Sequence, residues 1–296
     1  MVTNKLEQLI PFNNHYLDRN GHKLHYINEG QGEPVVMVHG NPSWCYYYRN
    51  LVAQLSSNYQ CIVPDHIGAG LSDKPDDTDY DYTLASRIND LDALLEHLDV
   101  KKEITLVVHD WGGMIGMGYA ARYPDRIKRL VILNTAAFHL PKTKILPIPL
   151  WICRNTLLGT ILVRGFNAFS SIASYVGVKR APMSKDVREA YVAPFNSWAN
   201  RISTLRFVQD IPLSDKDRNY DLVSDISNSL DKFKTTPSLI CWGLKDFVFD
   251  KHFLGQWRQR LPQAQVQEFD DCGHYILEDA SDEVIALIKD FLALNP

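Results

Sequence analysis

The segment between residues 104 and 121 constrains the fold most strongly. An apolar run from Ile104 to Val108 leads directly into His109-Asp110-Trp111-Gly112-Gly113, and small residues then continue to Ala121. The apolar run is typical of a buried strand, and the small-residue segment favours a helix. A sharp turn between this strand and this helix requires a close backbone approach, which the two glycines permit. This order places the Asp110 carboxylate above the end of a sheet, beside helix N-terminal amides that favour an anion.

Asp110 has two interpretations. Strand, sharp turn and glycine-rich helix form the context of a nucleophile elbow, whose usual sequence is Gly-x-Ser-x-Gly. Here an aspartate takes the nucleophile position, and Val108 stands where the first small residue is usual. An ionised carboxylate has no proton to give to a histidine, but it can attack an electrophilic carbon directly. Alternatively, Asp110 only caps the helix, since aspartate is frequent at helix starts. The segment alone leaves both interpretations open.

Short apolar runs alternate with helical patterns along most of the chain. The predicted strands cover residues 16–27, 34–39, 61–64, 104–108, 130–133, 238–243 and 266–269. Helical periodicity is clearest over residues 84–98, and further helices are predicted over 46–55, 254–261 and 282–294. This alternation predicts an α/β fold, a mostly parallel doubly wound sheet with helices on both faces.

The alternation stops after Asn134. Residues 138–213 show no strong strand pattern, and prolines separate helical segments rich in aromatic residues. We therefore predict a core domain of residues 1–137 and 214–296 with an inserted helical cap of residues 138–213. The cap aromatics either support the core or also roof a cavity, and the two roles are compatible. The apolar stretch 145–158 is either buried in the cap, which we expect, or an exposed patch for a partner or a bilayer surface.

Three polar residues follow predicted strands at the sheet edge where such folds build their sites. They are Asp110, Asp246 and His274, in the chain order nucleophile, acid, base. We predict that His274 is a general base that activates water and that Asp246 orients it. Asp250 and Glu278 are competing acids, but Asp246 follows its strand by a short loop. A lone histidine after glycine is more often a turn residue, and the two matching aspartates favour the catalytic interpretation.

The sequence His39-Gly40-Asn41-Pro42 follows the strand of residues 34–39. In this kind of fold that loop and the residue after the nucleophile each supply one backbone amide to an oxyanion hole. We therefore predict that the amides of Asn41 and Trp111 form the oxyanion hole. Both side chains also carry N–H donors suited to a halide or a carboxylate oxygen. Core packing is the alternative for Trp111, and we expect His39 and His109 to be structural.

Composition narrows the classes of function. The net charge is −4 and no lysine- or arginine-rich run occurs, which argues against a nucleic-acid partner. The five cysteines lack metal-ligand spacing, and Cys61, Cys153 and Cys241 lie in apolar settings that indicate buried thiols, consistent with a reducing compartment. Residues 1–9 lack the features of a signal peptide, so we expect a cytoplasmic location. We expect no metal and no organic cofactor, since the predicted triad is the only cluster of ligand-type residues.

Together, the stretches HGNPSW, PDHIGAGLSD, HDWGG, GLKD and DCGH resemble the haloalkane dehalogenase branch of the α/β-hydrolases over nearly the whole chain. The resemblance implies an α/β-hydrolase fold. It also implies that Asp110 is the nucleophile, His274 the base and Asp246 the acid, with Asn41 and Trp111 as the halide-binding or oxyanion-binding donors.

Finer stretches, among them YYYRNL (46–51), NTAAFHLP (134–141) and WANRI (198–202), are similar to the OleB-type β-lactone decarboxylases of bacterial long-chain olefin biosynthesis. That resemblance implies cleavage of a cis-β-lactone with long alkyl chains to a cis-olefin and CO2. It also implies a small hydrophobic substrate and a multienzyme assembly with a β-lactone synthetase and a reductase. Asn134, where some dehalogenases carry the acid, is not a carboxylate.

Several rival functions remain open on the sequence. A haloalkane dehalogenase would use the same residues to hydrolyse a carbon–halogen bond to an alcohol and a halide. An epoxide hydrolase needs cap tyrosines, for which Tyr175 and Tyr191 are candidates. Fluoroacetate dehalogenases carry an arginine after the nucleophile, where this chain has Trp111. A non-catalytic binding protein on the same fold is disfavoured by the complete set of Asp110, Asp246 and His274.

Overall fold

The computed structural model describes residues 6–296 and contains one eight-stranded sheet. The prediction that residues 1–9 are not a signal peptide falls partly outside the described residues, because the first five of them are not described. The strands are β1 (Asn14–Arg19), β2 (His22–Glu29), β3 (Pro34–Val38), β4 (Gln60–Pro64), β5 (Ile104–Asp110), β6 (Ile127–Thr135), β7 (Ser238–Gly243) and β8 (Gln265–Phe269).

The strand order is β1-β2-β4-β3-β5-β6-β7-β8. Strand β2 pairs antiparallel with β1 and β4, whereas the pairs from β4–β3 through to β7–β8 are parallel. The carboxyl ends of the parallel strands therefore meet at one edge, and the predicted α/β class with a mostly parallel sheet is confirmed.

Helices cover both faces of the sheet and fill the segment between β6 and β7. The α-helices are α1 (Arg49–Leu55), α2 (Leu84–His97), α3 (Trp111–Arg122), α4 (Ile148–Asn155), α5 (Leu157–Thr160), α6 (Ala168–Val176), α7 (Lys185–Val192), α8 (Ile202–Gln209), α9 (Tyr220–Ser229), α10 (Lys251–Arg260), α11 (Ile276–Asp279) and α12 (Ser281–Leu294). A π-helical turn spans Ile161–Gly165. Short 3-10 turns cover Glu7–Leu9, Cys45–Tyr48, Pro124–Arg126, Ala193–Phe195, Ala199–Arg201 and Leu230–Phe233.

The central strands are buried on both faces, which explains their continuous apolar sequences. All seven residues of β5 are buried. Successive side chains of a strand point to opposite faces, so Leu106 and Val108 join one hydrophobic cluster while Val107 joins the other. The sheet is therefore packed between two hydrophobic cores, and the strand that ends in Asp110 lies between them.

Residues 138–213 contain α4 to α8, and no strand occurs anywhere in the described chain between β6 and β7. Treating this segment as a separate cap domain stays a prediction. Within residues 6–296 no single helix is long and apolar enough to cross a membrane, although Leu157–Gly165 and Ala168–Val176, bent by 74° against each other, meet the length and composition requirement as a pair.

The expectation that the apolar stretch 145–158 is buried in the cap is wrong for most of its large side chains. Ile145, Ile148, Trp151, Leu157 and Leu158 are each between 51% and 89% exposed. The reason is geometric, because α4 has only two turns and buries a single narrow stripe. Only its residues 150 and 153 face inward and are buried, while the opposite side projects into solvent.

A buried carboxylate ties the loop after β4 to its neighbours. Asp65 accepts hydrogen bonds from His25 Nδ1 at 2.7 Å, the Cys45 amide at 2.7 Å and the Leu71 amide at 2.9 Å. Burial by itself would raise the pKa of Asp65, but the His25 hydrogen bond and the nearby histidine charges hold it well below its usual range. His25, Cys45 and Asp65 have the geometry of a candidate metal cluster, yet these hydrogen bonds already engage both Asp65 oxygens.

We expect Asp65→Asn to lower the free energy of unfolding by about 2–3 kcal/mol, because an amide cannot accept all these hydrogen bonds with a full charge. Urea denaturation at pH 7 measures the change. The loss should persist at pH 5, since the pKa of folded Asp65 lies well below 3.8 and its stabilisation disappears only as pH falls through that low value.

The control is Asp125→Asn, an exposed aspartate, which should change stability by less than about 0.5 kcal/mol. Equal unfolding midpoints for the Asp65 and Asp125 variants would contradict the role given to the buried carboxylate.

Candidate active site

Asp110 lies at a strained turn between β5 and α3. Its backbone adopts φ 53° and ψ −127°, a left-handed conformation that non-glycine residues rarely take. The helix that follows packs so closely on the sheet that a Cβ at Gly112 would overlap the Val38 carbonyl oxygen. The turn predicted from the two glycines is therefore present, and it projects the Asp110 side chain from the edge of the sheet where the parallel strands end.

One backbone amide holds an oxygen of the Asp110 carboxylate. The Asn41 amide donates to Asp110 Oδ1 at 2.6 Å. A Cβ at Gly40 would collide with the same carboxylate, so the loop after β3 can approach it only as glycine. The sequence predicted that the Asn41 amide would face a substrate oxyanion, whereas in this structure it contacts the nucleophile candidate itself.

The environment of Asp110 sets its proton affinity. The residue is 6% exposed. Burial raises the pKa of Asp110 to about 6, against the opposing effects of His274 and of the Asn41 amide. At neutral pH the carboxylate is therefore ionised, yet it is poorly solvated and so more reactive than a carboxylate in water.

His274 lies between Asp110 and Asp246. Its Nε2 is 3.6 Å from Asp110 Oδ2, and its Nδ1 is 2.8 Å from Asp246 Oδ2. Burial favours the neutral ring, but the Asp246 carboxylate, with help from Asp110, outweighs burial and raises the pKa of His274. The three predicted triad residues are thus brought into one chain of contacts.

Asp246 is itself fixed by neighbouring donors. The amides of Val248 and Phe249 donate to its Oδ1 at 2.8 and 3.1 Å, and Asn134 Nδ2 donates to its Oδ2 at 3.1 Å. Asn134 also exchanges two hydrogen bonds with the backbone of Gly243, which anchors it. From the sequence, Asn134 was identified only as a position without a carboxylate. A polar residue directly after the apolar run of β6 was the signal that would have identified it.

The two competing acids are engaged elsewhere. Asp250 accepts the His252 amide at 2.9 Å at the start of α10 and pairs with Lys144 Nζ at 2.7 Å. Glu278 binds Arg49 at 2.5 and 2.9 Å and accepts the Tyr191 hydroxyl at 2.6 Å. The geometry therefore leaves Asp246 as the carboxylate that contacts His274.

The two neighbouring histidines bond to backbone, as expected for structural residues. His39 Nδ1 is 2.8 Å from the Gly40 carbonyl oxygen, and His109 Nε2 is 2.8 Å from the His274 carbonyl oxygen. The His109 ring also stacks on Tyr47, with centroids 4.3 Å apart. Both rings therefore support the loops that carry the catalytic candidates.

A cavity of about 350 Å³ opens above Asp110 and His274. Asn41 and Trp111 line it as well. The Asn41 side chain donates to the Thr204 carbonyl oxygen at 3.2 Å, and the Trp111 ring packs on Phe207 with centroids 5.4 Å apart. The rest of the wall is mainly apolar and comes from residues 136–177, from 208–212 and from 247–253. The segment 138–213 therefore does roof a cavity.

The cap tyrosines required by an epoxide hydrolase do not reach the reaction space. Tyr175 is exposed, while the Tyr191 hydroxyl is bound to Glu278 and its ring stacks on Tyr275. Neither belongs to the wall of the cavity that residues 6–296 form. The structure therefore gives no support to epoxide opening by these tyrosines.

Comparison with known proteins agrees with this geometry. The sequence profile of the alpha/beta hydrolase fold matches residues 33–281. A cis-3-alkyl-4-alkyloxetan-2-one decarboxylase of Shewanella oneidensis is 78% identical over 287 residues, covering 97% of this chain and 90% of that protein. The protein of the same name from Xanthomonas campestris is 54% identical over 285 residues, covering 94% of this chain and 95% of that protein.

Among solved structures, the haloalkane dehalogenase DatA of Agrobacterium tumefaciens C58 superposes with a TM-score of 0.85 at 22% identity, covering 96% of this chain and 97% of that one. This likeness concerns the fold alone. The resemblance inferred from sequence motifs is confirmed: the chain belongs to the α/β-hydrolase fold family and, within it, to the family of the decarboxylases with which it shares 78% and 54% identity.

Proposed function

We propose that this protein is a β-lactone decarboxylase that cleaves a cis-3-alkyl-4-alkyloxetan-2-one to a cis-olefin and CO2 in long-chain olefin biosynthesis. The observation that carries the proposal is the 78% identity, over 97% of the chain, to a decarboxylase of that name. An aspartate–histidine–aspartate chain of contacts at the base of an apolar cavity supports it.

The two oxygens of Asp110 take different parts in the proposed attack. Oδ1 is held by the Asn41 amide, whereas Oδ2 lies 3.6 Å from His274 Nε2, so Oδ2 is the oxygen left to attack. Attack at the strained lactone carbonyl gives a mixed anhydride, and ring strain supplies much of the driving force. The Asn41 amide then holds the Asp110 carbonyl oxygen of the intermediate, where it stabilises negative charge if water attacks its carbon.

His274 and Asp246 handle the proton in this proposal. Ring opening at the carbonyl releases an alkoxide, which His274 Nε2 can protonate, and the neutral ring can then activate a water molecule. Asp246 fixes the ring orientation and stabilises its charged form. Attack of that water on the anhydride breaks its C–O bond and releases a β-hydroxycarboxylate. Loss of CO2 then breaks the C–C bond, and the electron pair expels the hydroxyl group, which His274 protonates. The water consumed is thereby returned within the same turnover, and all atoms of the lactone appear in the olefin and CO2.

The cavity suits a substrate with two alkyl chains. Its wall beyond the catalytic candidates is mainly aliphatic and aromatic, with side chains such as Leu150, Leu162 and Phe169. Such a wall binds alkyl groups through burial and leaves orientation to a few polar groups at the base. No metal or cofactor is required by this chemistry.

A haloalkane dehalogenase remains the second candidate, because the contacts of His274 with Asp110 and Asp246 would serve its chemistry as well. Asp110 Oδ2 would displace the halide, and the side chains of Asn41 and Trp111 would hold it. Asn41 Nδ2 is already bound to the Thr204 carbonyl oxygen, so a halide would have to share that donor. This arrangement makes the lactone the better supported substrate.

We further propose that the enzyme acts in the cytoplasm within an assembly that includes a β-lactone synthetase and a reductase, and that it contacts membranes peripherally. The support is chemical, because a dialkyl lactone is poorly soluble in water and benefits from direct transfer. The five cysteines are free and buried, which agrees with a reducing compartment.

The first test compares substrates. Purified enzyme should convert a synthetic cis-3,4-dialkyl β-lactone to the cis-olefin with release of CO2, and Asp110→Asn should lower kcat/KM by about 10⁴-fold or more, because an amide is a poor nucleophile. Gas chromatography of the olefin measures the rate, and a panel of bromoalkanes measures halide release. Fast halide release without olefin formation would show that the enzyme is a dehalogenase instead.

Asp110→Asn should remain folded and become more stable at pH 8, which separates lost chemistry from unfolding. The folded pKa of about 6 exceeds the ordinary value of 3.8, so stability falls as pH rises between these values. Removing the buried charge should therefore raise the free energy of unfolding at pH 8 by up to about 3 kcal/mol. A destabilised variant would contradict this electrostatic account.

A second test traps the intermediate. In His274→Gln the attack can still occur but turnover should stall, so the protein should gain the mass of the lactone on the peptide that contains Asp110. Intact-protein and peptide mass spectrometry detect the adduct. Asp110→Asn combined with His274→Gln is the control and should gain no mass, whereas an adduct on any other residue would refute the assignment of the nucleophile.

A third test is the pH dependence of kcat/KM. Activity should fall as pH drops through about 6, because the protonated Asp110 cannot attack. His274 must carry a proton to protonate the alkoxide, so kcat/KM should also fall as pH rises through the pKa of His274, which is raised above its ordinary 6.5. Circular dichroism at each pH controls for unfolding. Constant activity from pH 8 down to pH 5 would contradict both assignments.

A further inference from the structure

The exposed apolar side chains of this protein are concentrated on one part of the cap. Of the fourteen large hydrophobic residues exposed within residues 6–296, nine lie between Ile145 and Tyr175. Three of them are aromatic, namely Trp151, Phe166 and Tyr175. We call this surface, formed by residues 145–175, the cap face. A contiguous apolar surface of this kind marks a site of interaction.

The charge around the cap face has one sign. Residues 138–185 contain seven lysines and arginines and no aspartate or glutamate, whereas the remainder of the chain has 24 basic and 35 acidic residues. Four of the seven pair with acids from outside this segment, namely Lys144, Arg154, Arg180 and Lys185. Lys142 and Lys179 are exposed and have no acidic partner among the described residues. The cap face is therefore apolar with a basic border.

The cap face is continuous with the cavity above Asp110. Pro149, Ile172 and Phe247 are exposed and also line the cavity, so they stand at its mouth. Helices α4 and α6 each turn one side to the cavity and the other to solvent. A hydrophobic molecule that leaves an apolar phase at the cap face would reach the cavity without crossing water.

We propose that the cap face docks onto an anionic lipid bilayer and admits the lipophilic substrate to the cavity from the membrane. Apolar and aromatic side chains with a basic border are the signature of a segment that lies in the headgroup region. Two helical segments of the cap face, Leu157–Gly165 and Ala168–Val176, are bent by 74° against each other. The proposal of docking depends only on the properties of the cap face, whereas the proposal of substrate delivery also depends on the proposed lactone cleavage.

The charge pattern argues against a second copy of this chain as the occupant. A twofold dimer through the cap face would bring the same surface together from both subunits. Two segments with seven basic residues and no acid of their own would then face each other. An anionic bilayer supplies both the apolar phase and the missing negative charge.

The test is flotation of the purified enzyme with vesicles of neutral phosphatidylcholine, alone or with about one third phosphatidylglycerol. We expect at least a tenfold stronger partition onto the anionic vesicles, reduced by high salt. Leu157→Glu with Phe166→Glu should lower binding about tenfold, and so should Lys142→Glu with Lys179→Glu. None of these four residues lines the cavity. Leu294→Glu, which alters an exposed apolar residue outside the cap, is the control and should bind normally.

Turnover separates docking from the proposed chemistry. The Leu157→Glu, Phe166→Glu variant should keep its wild-type rate on a short-chain, water-soluble β-lactone but lose at least tenfold on a long-chain lactone dissolved in anionic vesicles. Vesicle binding without any lactone turnover would overturn the proposed function and leave docking intact. Equal binding to neutral vesicles, no binding at all, or a dimer that the variant dissociates would each overturn the docking proposal.

Discussion

The candidate active site depends on the carboxylate of Asp110, which is ionised at neutral pH although its burial disfavours the charge. Burial raises the pKa of Asp110, and His274 and the Asn41 amide oppose that effect. The balance leaves the group ionised at neutral pH but weakly solvated, as an attacking group needs to be. The strained backbone of Asp110 and the absence of a Cβ at Gly40 are what allow the Asn41 amide to approach it. The sheet and its two cores hold that strain in place.

The position of the candidate site at one edge of the sheet was predictable, because it follows from the order of the strands along the chain. Parallel strands end on one side, so Asp110, Asp246 and His274, each following a strand, had to lie near one another. The choice of Asp246 over Asp250 or Glu278 was weaker, since it depends on loop conformation. In the structure the Val248 and Phe249 amides fix Asp246. Backbone amides leave no signature in side-chain identity, and for the same reason the contact of the Asn41 amide with Asp110 was not foreseen.

The burial of the segment 138–213 was less predictable than that of the sheet. A helical pattern shows which side chains share a face of a helix, but it does not show whether that face meets protein or solvent. For the stretch 145–158 the expectation of burial was wrong, because α4 is too short to bury more than Leu150 and Cys153. In the core the sheet offers two faces to cover, so the same apolar composition could only be buried. In the segment 138–213, by contrast, α4 is buried along one side alone.

Within the proposed chemistry, the triad by itself does not decide between a lactone and a haloalkane. Attack by Asp110 begins both reactions, and His274 with Asp246 can activate water in both. The overall reactions differ because hydrolysis of a haloalkane consumes water, whereas cleavage of a lactone to olefin and CO2 does not. An apolar wall that limits the water near the intermediate therefore favours the second outcome. On this argument the selectivity lies in the residues of the segment 138–213 that line the cavity rather than in the residues at its base.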